Sequence, residues 1–249
     1  NMFAQDFQSG DLWYHVSSTT NKTVYVTSHE SHKALISVTI PSSVEYNGTT
    51  YTVTEIGYDA FSYCSSLQSV TIPNSVTSIG GSAFYDCSSL KSITITANSV
   101  KEFVENNLNA QLINAGNSSA ERHIVINGTE LIHNVTIPDG TTTINAQTFY
   151  NCTSINSFVL PTTVTTIGEK AFWGVKYLHM QSSTPPTITN KNVVNSNTVI
   201  VLPDAATLAT YQSASVWSEL ATQMVTKDAL QVREVTISQN QAMSALHVA

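Results

Sequence analysis

The segments FSYCSSLQSVTIP (61–73), FYDCSSLKSITIT (84–96) and FYNCTSINSFVLP (149–161) are variants of one pattern. Cys64 and Cys87 stand 87 − 64 = 23 residues apart, as do Phe61 and Phe84, Ile56 and Ile79, and Leu67 and Leu90. The same step separates Phe149 from Phe172 and Ile144 from Ile167. A fixed period in the twenties, with a constant apolar frame and variable polar positions, marks a chain that coils into a stacked solenoid. One coil of that length cannot bury its own apolar edge, so each depends on its neighbours.

Residues 67–90 give the physics of one coil. Leu67, Val70 and Ile72 follow an L-x-x-L-x-L spacing. In the short strand Val70 and Ile72 alternate inward while Ser69 and Thr71 point out. Pro73 and Asn74 end the strand and turn the chain. Val76 and Ile79 face inward on the return segment, and Gly80-Gly81 makes the next corner. Ala83 and Phe84 then open a short helical or 3₁₀ turn, closed by Cys87 before Leu90 restarts the frame. Stacking at the inter-strand spacing of about 4.8 Å aligns like residues into ladders: isoleucine, phenylalanine and cysteine inside, Ser and Thr outside.

The frame extends to Leu35, Val38 and Ile40, to Ile132, Val135 and Ile137, and to Ile155, Phe158 and Leu160. Val175, Leu178 and Met180 form a clipped copy, and Val199 to Leu202 a last weak one. EYNGTTY (45–51) lengthens an early turn, and its Asn47-Gly48 predicts a small hairpin. A larger insert occupies 97–130. Ser99 with Glu102 is a capping-box pattern, Val100, Phe103, Val104, Leu108 and Leu112 form a helical stripe, and Gly116 is a C-cap. One helix near 99–115 is therefore expected to replace a coil's convex side, with HIVIN (123–127) leading back into the frame as a strand.

The ends read as caps that shield the terminal cores. Residues 1–34 form an N-terminal β cap around LWYHV (12–16) and TVYVT (23–27), and 35–203 the repeats. Residues 204–233 form a partly helical C-terminal cap. Residues 234–249 are a tail or the opening of a truncated further module.

The repeat VTIPNSVTSIGGSAFYDCSSLKS resembles the BspA-like branch of the leucine-rich repeat proteins, over roughly residues 35–203. The carrying frame is I-P-x-x-V-x-x-I-G-x-x-A-F-x-x-C; TPPTI (184–188) followed by VLPDAATLATYQ resembles the way such domains end. The resemblance implies a leucine-rich repeat solenoid, a right-handed α/β superhelix of short strands and short 3₁₀ or helical turns. It also implies a bacterial, secreted or cell-surface attachment protein with no catalytic residues, so none is assigned.

Composition fits an extracellular binding module. The 249 residues suffice for one large repeat domain, and a hydrophobic content of 41% supports a continuous core. Charged residues make up only 11%, against about 25% in typical domains, and Ser and Thr take their place on the surface. The net charge of −7, without a basic cluster, argues against nucleic acid or an anionic membrane as partner. No apolar run is long enough to span a bilayer.

The remaining chemistry-bearing residues do not assemble into a motif. Cys64, Cys87 and Cys152 share one repeat position, three residues after a phenylalanine. No C-x-x-C is present, so free thiols in a core ladder are expected, and no metal or other cofactor. HESH (29–32) lacks the spacing that puts two imidazoles on one helical face and reads as a polar loop. The corner glycines repeat with the frame and are not phosphate cradles. Asn-x-Ser/Thr sequons at Asn21, Asn47, Asn117, Asn127, Asn134 and Asn151 follow from a Ser/Thr/Asn-rich repeat.

The expected function is therefore attachment: a non-enzymatic, monomeric module that recognises a host or bacterial surface protein or glycan through its exposed strand face. Outward positions stand in ranks, with Thr71, Thr94, Asn134 and Thr136 among the candidate contacts. Tyr177 and His179 end the rank and are its most ligand-like members, because a phenol and an imidazole can both stack and hydrogen-bond. The alternative is a structural stalk that presents another module on a featureless Ser/Thr face.

Overall fold

Alternate burial sets the first strands. The computed structural model describes residues 6–106, 108–114, 116 and 120–231. The tail expected at 234–249, the last two residues of the expected C-terminal cap, the Asn117 sequon and the first five residues of the expected N-terminal cap lie outside them. The chain divides into two compact units, residues 1–132 with 147–154 and residues 133–146 with 155–249.

The first unit opens with β1 (Asp6–Ser9), β2 (Leu12–Ser18) and β3 (Thr23–Val26), paired antiparallel in that order. Leu12, Tyr14 and Val16 of β2 are buried while Trp13 and His15 between them are half-buried. β4 (Ser37–Thr39) starts the parallel ladder. β5 (Ser43–Tyr46) and β6 (Thr49–Ile56) form the expected hairpin, with Asn47 at φ 50° and Gly48 at φ 72°. Two consecutive left-handed residues are what a type I′ turn requires. β6 joins β3 and β8 (Ser78–Ile79) in parallel.

β4, β7 (Ser69–Ile72), β9 (Ser92–Ala97) and β10 (Glu121–Ile126) lie side by side in parallel, and β11 (Thr129–Glu130) folds back on β10. Val38, Val70 and Ile93 align across the first three strands, as the repeat register requires, and all are buried. Leu67 and Leu90 are buried as well. Ile132 departs from its expected place: it is 50% exposed, so the copy that begins there keeps only Val135 and Ile137 in the core.

The A-F turns are neither of the short helical or 3₁₀ forms expected of them. Residues two before and two after the phenylalanine are left-handed: Asp59 and Tyr63 around Phe61, Ser82 and Asp86 around Phe84. A right-handed helical turn cannot continue through such residues. The turns instead bond to each other, Phe61 N–H to Ala83 O and Tyr63 N–H to Tyr85 O, both at 2.8 Å. The rings of Phe61 and Phe84 stack at 5.4 Å. Gly80 belongs to this stacking, because a Cβ there would lie 2.5 Å from Tyr58 N.

His32 corrects the reading of HESH as a polar loop. Glu30–Ala34 is a 3₁₀ turn, and His32 within it is fully buried. Its ring stacks on Phe61 at 5.3 Å and closes the phenylalanine stack. Trp13 N–H donates to Nε2 at 3.2 Å, so Nδ1 carries the proton and donates to Ala60 O at 3.0 Å.

The insert holds two short helices where one was expected, α1 (Val100–Asn106) and α2 (Leu108–Asn114). Ser99 Oγ accepts from Glu102 N–H at 3.1 Å, while the Glu102 carboxylate reaches Asn98 N–H at 3.0 Å. Phe103 packs on Phe149 at 5.5 Å and so supplies the aromatic that a regular A-F turn would have supplied.

In the second unit β12 (His133–Thr136), β14 (Ile155–Leu160), β16 (Tyr177–Met180), β18 (Val199–Leu202) and β19 (Met224–Thr226) form one parallel sheet. β13 (Thr143–Ile144), β15 (Thr166–Ile167) and β17 (Thr187–Ile188) form a second. Gly168 is a stacking requirement, since a Cβ would lie 2.3 Å from Ala146 N. Asp204 caps α3 (Ala205–Ser213) by accepting from Thr207 N–H at 2.7 Å. Tyr211 and Trp217 then donate to the carbonyls of Ser182 and Pro186, at 3.0 and 2.7 Å.

Candidate functional site

The strand ladder decides which of the expected contact residues meet. In the first unit Thr39, Thr71, Thr94 and His123 lie in register on β4, β7, β9 and β10, with Ser37, Ser69, Ser92 and Glu121 in the neighbouring rank. Thr71 and Thr94 are thus adjacent and half-buried. The Ser/Thr character stops at β10, where His123 Nδ1 pairs with Glu130 Oε1 at 2.6 Å and Nε2 lies 3.9 Å from Glu121.

In the second unit Asn134, Ser157, Tyr177 and Val199 form one rank and Thr136, Val159, His179 and Val201 the other. Asn134 and Thr136 are exposed and sit two strands from Tyr177 and His179. Ser157 between them is only 6% exposed, with Oγ donating to Asn134 Oδ1 at 2.6 Å. Thr71 and Thr94 belong to the first unit, so the six expected residues fall into two sets, one in each unit.

Tyr177 and His179 do not end the rank, because β18 and β19 continue the sheet beyond them. The two rings are 6.3 Å apart, and Lys176 Nζ stands 5.1 Å from the Tyr177 centroid. A cation on that face strengthens the ring's hold in place. Beside His179 the surface sinks into a hollow of about 390 Å³ between Val159, Val201, Gln181 and Lys227. Val201 is in register with His179 yet only 2% exposed, so a valine floors the hollow.

Sequence reasoning missed Val201 and Lys227. The signal for Val201 was present: it lies 201 − 179 = 22 residues after His179, one repeat on. Lys227 carries no repeat signal. The hollow offers an apolar floor beside the His179 ring and the Lys227 ammonium, with Tyr177 next to His179 on the same strand face, suited to holding an apolar side chain of a partner.

The buried thiols take no part in this face. Cys64, Cys87 and Cys152 are free and buried. Burial pushes the Cys64 thiol up to about 11, and Cys87 and Cys152 up to about 12. Cys87 Sγ donates to Phe61 O at 3.0 Å. Among the described residues no three His, Cys, Asp or Glu side chains are placed to hold a metal ion.

A family model described as BspA type leucine rich repeat region matches residues 30–115 and 125–201, in six copies. Among solved structures, a leucine rich cell surface protein of Faecalibacterium prausnitzii is 27% identical, with 80% of this chain and 54% of that chain covered and a TM-score of 0.47. The present chain thus spans about half the length of that protein. A leucine-rich repeat protein of Bacteroides ovatus is 21% identical over 80% of this chain and 50% of its own, with a TM-score of 0.39. The T. pallidum leucine rich repeat protein is 20% identical over 79% and 86%, with a TM-score of 0.38. None of the curated proteins compared with the chain matches it.

Proposed function

Because the chain belongs to the BspA-type leucine-rich repeat family, we propose that it is a non-enzymatic adhesion module, carried on a bacterial cell surface, whose solenoid binds a surface protein of a host or neighbouring cell. The observation that carries this reading is the change of chemistry along the second unit's strand face. Asn134 and Thr136 are followed one strand on by Ser157 and Val159, and then by Tyr177 and His179 beside a valine-floored hollow. A spacer has no use for an aromatic pair on that face, whereas buried aromatic anchors dominate protein interfaces. A largely apolar lining favours a protein side chain over a sugar. No described helix is long and apolar enough to cross a membrane.

The test is a panel of purified host and bacterial surface proteins, probed with the parent chain and with a Val159→Lys variant of unchanged melting temperature. At least one protein should bind the parent chain and lose binding to the variant. If none binds, the adhesion reading fails; if Val159→Lys binds equally well, the strand face is not the interface.

A further inference from the structure

Four turns share a left-handed position and fill it with four different residues. The residue two after the turn phenylalanine is left-handed each time: Tyr63 at φ 60°, Asp86 at 53°, Asn151 at 58° and Gly174 at 100°. Asp, Asn and Gly suit that conformation; a tyrosine does not, and its Cβ is crowded against the backbone. Tyr63 gains no burial in return, being 56% exposed. A bulky residue held in a disfavoured conformation and left in water points to a contact made outside the folded chain.

The surroundings say what that contact is. The ring of Tyr85, 50% exposed, meets Tyr63 edge to face at 5.5 Å, so two half-exposed rings stand at 80° to each other and leave ring surface in water. Tyr63 also walls a hollow of about 410 Å³, whose other sides carry Ser62, Asp59, His29, Glu30 and Lys33. His29 is stacked on Trp13 at 4.2 Å, and Lys33 is paired to Glu30 at 3.0 Å. Exposed ring surface beside carboxylate, hydroxyl, imidazole and ammonium groups matches a saccharide, whose C–H face stacks on an aromatic ring while its hydroxyls donate and accept at the rim. The two carboxylates, one of them already holding the only lysine of the hollow, disfavour an acidic sugar.

We infer that the turn edge around Tyr63 and Tyr85 is a binding site for a neutral saccharide, separate from the strand face. The probe is an array of immobilised glycans ending in galactose, mannose or N-acetylglucosamine, beside sialylated and sulfated counterparts. The parent chain should bind at least one neutral class and not its acidic counterpart. Tyr63→Asn should reduce that binding at least tenfold while its melting temperature stays equal or rises, because asparagine accepts the left-handed backbone. Tyr177→Ala with His179→Ala should leave glycan binding unchanged, whatever it does to a protein partner. An array without neutral binders, binding retained by Tyr63→Asn, or a lowered melting temperature in that variant would each overturn the assignment.

Discussion

Arg122 Nε donates to Asn109 Oδ1 at 2.8 Å, and neither residue reaches solvent. Arg122 stands on β10 in register with the buried Ile93, a position where the ladder has an aliphatic side chain. Burial pulls its guanidinium down to about 10. The reason for so costly a residue lies in the insert. In regular coils the carbonyls of the A-F turn accept from backbone N–H groups of the turn before; here α2 stands in that place. Asn109 Nδ2 takes over, lying 3.2, 3.1 and 3.0 Å from the carbonyls of Gln147, Thr148 and Tyr150. Arg122 fixes which way the amide faces, and it donates to Ala120 O at 2.6 Å besides.

Replacing Asn109 by Ala should therefore cost about 2–4 kcal/mol, since it removes several buried hydrogen bonds at once. Asn109→Asp should also destabilise, because a carboxylate can accept from Arg122 but has no N–H to share among the three carbonyls. Urea denaturation of both variants checks this; a midpoint unchanged in Asn109→Asp would mean that the three carbonyl contacts contribute nothing.

His32 should make stability fall in mild acid. Burial holds its pKa below the ordinary 6.5, against the opposing bond to Ala60 O. The unfolded chain then takes up a proton below about pH 6.5 that the folded chain refuses. The His32 contribution is complete above that pH and is lost progressively as pH falls towards the folded value. Thermal melts from pH 8 to pH 5 should show this decline in the parent chain and a smaller one in His32→Phe, which keeps the stack on Phe61.

The repeat frame was readable because it is written in residues that neighbours must match. Val38, Val70 and Ile93 each face the same position one coil away, so spacing alone locates them. The Asn47-Gly48 hairpin was readable for a local reason, the left-handed turn. His32 was not, because it stands three residues before Leu35, where the next copy has Cys64 three before Leu67, and a polar type at a core position is misread as surface. Asn109 was invisible for a related reason: a helical stripe is found by its apolar members, and the carbonyls that Asn109 reaches lie about 40 residues away in sequence. The strand face followed from alternation, but Lys227 reaches it from beyond the last repeat strand, where no period applies.

All three thiols should react slowly in the folded protein. Their pKa values of about 11 to 12 leave almost no thiolate at pH 8, and burial blocks access. Labelling with a thiol reagent should be far slower than in denaturant and should yield three adducts once the chain is unfolded. Prompt labelling of the native chain, or a mass two units low, would contradict the buried free ladder.

The most direct test of strand-face adhesion is the affinity of a Tyr177→Ala, His179→Ala double variant for a surface protein that binds the parent chain. Both side chains are half-exposed, so the melting temperature should hold. Loss of a central aromatic anchor is worth about 2 kcal/mol or more, so the dissociation constant should rise about thirtyfold. An unchanged dissociation constant in a variant of unchanged melting temperature would place the interface elsewhere and contradict the reading of this face as the binding site.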